Sequence, residues 1–186
     1  VYKTIDGGKT WERTLFVSDE TGIAEIAIDP KNPDILYASA HQRRRSESSY
    51  IGGGPESSLY KSEDGGKTWR EIIQGLPKGD MGRIGIAVAP SDASYIYAIV
   101  EGRYGKAGVY SSTNKGETWS KQSNFNTSGN YYQEIFVDPL NKQKIFAMDT
   151  YMHHSEDGGK TFKPTGESNK HVDNHCIVID PENTDH

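Results

Sequence analysis

Apolar and polar positions in this chain recur in short runs. None shows the three-and-four spacing of an amphipathic helix, and none is long enough to cross a membrane. Four runs, Ile26-Ala27-Ile28, Ile86-Ala87-Val88, Ile135-Phe136-Val137 and Ile177-Val178-Ile179, are apolar on both faces and read as buried inner strands. Each ends within two residues at a proline, Pro30, Pro90, Pro139 or Pro181. Proline has no N–H for a ladder and so closes the strand. A second β-rich run follows after a short turn, at Ile35–Ser39, Tyr95–Val100 and Ile145–Met148. A third, Leu59–Ser62 or Val109–Ser112, leads into a polar phrase whose final aromatic starts a fourth strand.

That phrase appears four times. Thr4-Ile5-Asp6-Gly7-Gly8-Lys9-Thr10-Trp11 is echoed at 62–69, 112–119 and 155–162, as Ser/Thr-x-Asp/Asn-x-Gly-x-Thr-aromatic. Its key residues are Asp6 and Trp11, Asp64 and Trp69, Asn114 and Trp119, and Asp157 and Phe162. The side-chain oxygen of Asp or Asn is expected to bond N–H groups two residues on, with the first glycine supplying a positive φ and the aromatic packing beneath. In the third copy Lys115 replaces that glycine, which predicts a strained or different turn. These roles are structural.

Two phrases kept in step mean one unit copied along the chain. Four strands per unit at this spacing predict an all-β fold, a β-propeller of four-stranded antiparallel blades with these turns. The reading is one partial, unclosed propeller domain over 1–186. Full blades are expected at 23–74, 82–123 and 133–165, the end of one blade at 1–17 and the start of another at 172–186. Both ends are expected to be cuts through a longer propeller.

Composition changes this picture little. A net charge of −5, 33% hydrophobic residues, 11 Tyr and 20 Gly suit a turn-rich protein with short strands. The acidity argues against a nucleic-acid partner. No cofactor is implied, because phosphate-loop glycines, a nucleophile elbow and Cys/His zinc spacing are all missing. The single cysteine, Cys176, is expected to be a buried thiol in an inner strand.

The turn phrases resemble the BNR or Asp-box repeat of sialidases, two-propeller xyloglucan hydrolases and sortilin-type propellers. Over nearly the whole chain the pattern is most similar to bacterial exported proteins with a sortilin-like propeller, often labelled BNR-repeat glycosyl hydrolases. Leu36-Tyr37-Ala38, Gly75-Leu76-Pro77, Gly82–Pro90 and His171–His175 add to the match. The resemblance implies an exported location and a ligand face opposite the Asp boxes. It implies a peptide or polysaccharide ligand, with the remaining blades or domains of a parent protein as partners. A glycoside hydrolase fragment with catalytic acids partly outside the chain, and a scaffold, are the alternatives.

Candidate binding residues therefore lie outside the turn phrases. Arg43, Arg44 and Arg45 open the longest loop, 40–58, where guanidinium forks suit carboxylate or sulfate, or pair with neighbouring acids. Arg83, Arg103, Tyr104, Tyr131 and Tyr132 combine ring area with directional donors, as carbohydrate or peptide surfaces do. Arg83 equally suits a tie to a blade-end carbonyl, and one of Tyr131 and Tyr132 is expected to be packed. His171, Asp173 and His175 alternate, so an extended segment places them on one face as a relay or a set of polar contacts. No fourth ligand accompanies them, and no metal is assigned. No catalytic residue is assigned either, because a glycosidase needs two facing carboxyls and Glu101, Asp149 and Asp173 have no evident partner.

Overall fold

The computed structural model describes residues 1–184, which form sixteen strands and no helix. Among the described residues no helix is long and apolar enough to cross a membrane. Strands β1 (Tyr2–Lys3) and β2 (Glu12–Arg13) make a two-stranded ladder. The first blade runs β3 (Thr21–Ile28), β4 (Leu36–Gln42), then β7 (Ser58–Ser62) and β8 (Arg70–Glu71), all antiparallel. Between its middle strands a small hairpin, β5 (Arg44–Arg45) and β6 (Tyr50–Ile51), stands off the sheet. The second blade is β9 (Met81–Val88), β10 (Ile96–Gly102), β11 (Gly108–Ser112) and β12 (Ser120–Ser123). The third is β13 (Ile135–Val137), β14 (Ile145–Ala147), β15 (His153–Ser155) and β16 (Lys163–Pro164). The sheets do not close into a ring. The fold is a partial β-propeller.

Strand alternation builds two cores, one at each blade seam. Along β10, Ile96, Ala98 and Val100 face the first blade and join Tyr37, Leu59, Ile84 and Ile86. Tyr97 and Ile99 face the other way, onto Val109, Ile135, Val137 and Ile145. A strand buried on both faces must be apolar at every position, and from Ile96 to Val100 this one is, before Glu101 emerges at the cleft. On β3 only one face has a neighbour, so Ile26 and Ile28 stay about half exposed.

The Asp boxes share one plan, kept in full by the three copies with Asp; in the third, Asn114 Nδ2 donates to the Thr118 hydroxyl at 2.9 Å and the Glu117 N–H bonds the Asn114 main-chain carbonyl. Ser62 Oγ donates to Asp64 Oδ1 at 2.8 Å and accepts the Gly66 N–H at 2.8 Å. Asp64 Oδ1 accepts the N–H groups of Lys67 and Thr68, each at 2.9 Å, and Oδ2 accepts the Thr68 hydroxyl at 2.6 Å. The carboxylate thus reaches three and four residues on, not two. Both glycines of the pair, Gly65 (φ 70°) and Gly66 (φ 83°), are left-handed and curl the later amides back to it. Lys115 adopts the same conformation (φ 58°), so the third turn keeps its type with a non-glycine residue in the left-handed region. That lysine is reused across the seam, where Lys115 Nζ donates to buried Asp29 at 3.0 Å.

Two expectations for the C-terminal segment fail. Residues 172–180 form no ladder, because among the described residues no strand lies beside them to pair with. Cys176 is consequently exposed rather than buried.

Candidate functional site

Register fixes which end of each blade carries what. Leu36 pairs with Ser62 and Ala40 with Ser58, so the β3–β4 turn and the Asp box share one end of the first blade. The β4–β7 loop opens at the other end, as does the β10–β11 turn of the second blade, since Val100 pairs with Gly108. These two connections meet at a cleft of about 690 Å³ on the face opposite the Asp boxes. Volumes of this order suit a small ligand or a stretch of polymer.

The cleft straddles the seam because the loop is tied to both blades. His41 Nε2 donates to the Gly52 carbonyl at 3.1 Å, and the Gly54 N–H donates to Met81 O at 3.0 Å on the second blade. Burial holds the His41 imidazole below its ordinary pKa, against the pull of the Gly52 carbonyl. A Cβ at Gly53 would sit 2.9 Å from the Gly82 Cα, so glycine allows the two chains to touch. The floor therefore has little side-chain relief. Gly52, Gly53, Gly82 and Gly102 line it, with Tyr50 and Ile51 on one wall and Arg103 and Tyr104 on the other.

Tyr104 projects from its wall, 92% exposed at φ 57°. With Gly105 at φ 75° and the Lys106 N–H bonded to Arg103 O, it occupies a tight hairpin turn that asparagine or glycine normally fills. An aromatic held left-handed and in solvent is strain without a packing return, which points to a role for the ring.

Two carboxylates line the same cleft, Asp80 at the edge and Glu101 at the floor. Glu101 Oε2 accepts the Arg83 N–H at 3.1 Å and lies where any side chain on Gly82 or Gly129 would be.

The candidates divide into two groups. Arg43, Arg44, Arg45, Arg103 and Tyr104 lie on the two connections around the cleft, with the Arg43 guanidinium 5.7 Å from the centre of the Tyr50 ring. Arg83, Tyr131, Tyr132, His171, Asp173 and His175 lie instead toward the third blade. Arg83 is a strut, donating to Glu134 at 2.6 Å and to the Tyr131 carbonyl at 3.3 Å. Tyr132 is packed and Tyr131 55% exposed. The Tyr132 hydroxyl donates to Asp173 Oδ1 at 2.6 Å, and the Tyr132 ring stacks on His175 with centroids 5.0 Å apart. Asp173 has φ 74°, which breaks the extended geometry: Asp173 and His175 both meet Tyr132, while His171 Nδ1 bonds the Val172 carbonyl. Among the described residues no three His, Cys, Asp or Glu groups converge to hold a metal.

Comparison with known proteins agrees with the fold. No protein-family model matches the chain. A xyloglucanase of Acetivibrio thermocellus is 30% identical over 148 residues, which are 74% of this chain and 16% of that enzyme. A Niastella koreensis GH74 enzyme superposes with a TM-score of 0.59 at 23% identity, over 85% of this chain and 24% of its own. YCF48 from Cyanidioschyzon merolae gives 0.55 at 15% identity, over 83% and 39%. The chain is thus a β-propeller segment similar in sequence to xyloglucanases, and it spans about a sixth of the length of the first relative.

Sequence reasoning passed over Glu25 and Glu134, although both interrupt apolar inner-strand runs at the same position of the repeat. Glu25 Oε2 accepts the Ile86 N–H at 3.0 Å across the seam. Burial raises its pKa to about 7; the Ile86 N–H opposes this, the Glu134 charge adds to it, and Arg83 opposes it. Tyr50 was also missed as a ring, since its place beside the cleft depends on how the hairpin folds back.

Proposed function

We propose that this segment binds a polysaccharide without cleaving it, in the cleft at the seam of the first and second blades. The observation that carries the reading is the cleft itself, with a glycine floor flanked by the exposed rings of Tyr50 and Tyr104. Flat pyranose faces stack on such rings, and a floor with few side chains admits them closely. Sequence similarity to xyloglucanases supports a polysaccharide over a peptide. On this reading residues 1–186 are one partial Asp-box, sortilin-like propeller domain of an exported protein, with further blades as its partners.

One observation favours hydrolysis as the second reading: Asp80 and Glu101 line the same cleft. A glycosidase needs two carboxyl groups across the scissile bond. Affinity electrophoresis against a panel of neutral and acidic polysaccharides, followed by an assay for new reducing ends, separates the two. Binding that falls in Tyr50→Ala, with no reducing ends formed, supports the binder. Reducing ends that vanish in Glu101→Gln select the hydrolase. Retention of no polysaccharide sinks both readings and leaves a scaffold.

A further inference from the structure

We infer that the polymer in this cleft is an acidic polysaccharide, its carboxylate or sulfate groups gripped by Arg43, Arg45 and Arg103, an inference that rests on the polysaccharide-binding reading above. The chain has seven arginines. Arg70 and Arg83 are paired with glutamates, and Arg13 lies over the Phe16 ring. The other four, Arg43, Arg44, Arg45 and Arg103, all sit on the two connections flanking the cleft; among the described residues none of them forms an ion pair, and Arg43 meets only the Tyr50 ring of the cleft wall. The protein has 26 acidic residues and a net charge of −5. Carboxylates are therefore abundant, yet among the described residues none pairs with these four.

The hairpin aims the charges. Arg45 is directly opposite Tyr50 in the β5–β6 pair, so their side chains share a face, and Arg43, just before the strand, reaches the same ring. The Arg43 guanidinium lies beside the Tyr50 ring, which is part of the cleft wall. Arg103 stands on the opposite wall. Its neighbour Lys106 is committed elsewhere, donating to Lys78 O at 2.5 Å. Guanidinium forks with unbonded donors take carboxylate or sulfate oxygens two at a time.

The acids of the cleft favour a glycan over an acidic peptide. Glu101 and Asp80 present acceptors, which the several hydroxyls of each sugar ring can fill, whereas an extended acidic peptide offers one backbone N–H per residue. Cations on the walls and acceptors below match a ligand with both acid groups and hydroxyls on one ring.

The test measures retention of four probes at low and high salt: polygalacturonate, dextran sulfate, xyloglucan and poly-glutamate. The expected result is that polygalacturonate or dextran sulfate is held about tenfold or more tightly than xyloglucan at low salt, with the gap closing as salt screens the charges. Which of the two is preferred separates uronate from sulfate recognition. The variant R43Q/R45Q/R103Q should lose that advantage, and Arg13→Gln should keep it. Xyloglucan bound as tightly as the acids, with no salt effect, overturns the inference and leaves the polysaccharide reading intact. Poly-glutamate held as well as the acidic glycans overturns the glycan selectivity. Binding of no polysaccharide at all counts against the parent reading instead. The salt dependence of the unmodified protein decides the matter even where the triple variant folds poorly.

Discussion

Glu25 makes this fold a sensor of its own pH, and the effect can be worked from the structure. Its side chain bridges the inner strands of the first two blades, where burial favours the neutral acid and the nearby Glu134 charge adds to that preference. The folded-state pKa is about 7 against an ordinary value of 4.5. Below pH 4.5 the group is protonated in both folded and unfolded chains, and the fold carries no penalty. As pH rises from 4.5 to about 7 the unfolded chain releases the proton and the folded one retains it, so stability falls. Above about 7 both are ionised and the loss is complete, about 3 kcal/mol at about 1.4 kcal/mol for each tenfold change. Glu25→Gln is neutral at every pH and can still accept the Ile86 N–H. Urea denaturation of both proteins across pH 4 to 9 reports the group together with its coupling to Glu134 and Arg83, because titrations remote from it contribute equally to the two curves. The variant should match the parent in acid and exceed it by about 2–3 kcal/mol at pH 8. Parallel curves would refute the reasoning, because they would mean that Glu25 ionises as freely in the fold as out of it.

Three further outcomes follow from the packing. Ser62→Ala leaves the buried Gly66 N–H without its acceptor and should cost about 1–3 kcal/mol in chemical denaturation, with polysaccharide retention unchanged. Trp119→Phe removes a buried indole whose Nε1–H donates to Ile72 O at 2.8 Å across the seam, and should cost about 2–3 kcal/mol. The same change at Trp11, 61% exposed, should stay within about 0.5 kcal/mol, and equal effects at the two sites would contradict the seam assignment. Tyr104→Asn places a residue suited to φ 57° in the turn, so the melting temperature should rise, by about 0.5–1 kcal/mol of stability, while polysaccharide retention drops. A gain in stability without a loss of retention would show that the ring has no part in binding.

The four turn phrases have the same sequence logic and unequal fates. Trp11 and Trp69 turn back to bond their own box, through the carbonyls of Gly8 and Gly66. Trp119 instead reaches into the previous blade, and Phe162 stacks on Phe125 with centroids 3.9 Å apart. What lies beneath each aromatic depends on the neighbouring blade, not on the phrase. The same holds for lysines: Lys115 and Lys142 cross a seam to Asp29 and Asp92, and buried Lys61 pairs with the exposed Glu63 and Glu117. These ties couple each blade to the next at the Asp-box end. The opposite end is left to the longer connections and the cleft.

From its sequence alone the chain is legible as strands, their order within a blade, the repeat, and the end of the blade at which the turns sit. Alternation of side chains and the chemistry of Asp-x-Gly turns act over two to eight residues, so each copy specifies itself. Even Lys115 obeys the turn, because the side-chain bonds around Asn114 outweigh the left-handed penalty at a single residue. The candidate site was legible only as residue types. Arg43, Arg45, Arg103 and Tyr104 could be named, and so could Arg83, but not that the first three meet no acid among the described residues while Arg83 is held by Glu134. Only the tertiary structure decided which arginines find acids, which tyrosine is buried, that Asp173 and His175 meet on Tyr132 without His171, and that Glu25 holds a proton near neutrality. Each of these depends on groups some tens of residues apart meeting across a blade seam. There desolvation and charge are set by the neighbour rather than by the residue itself.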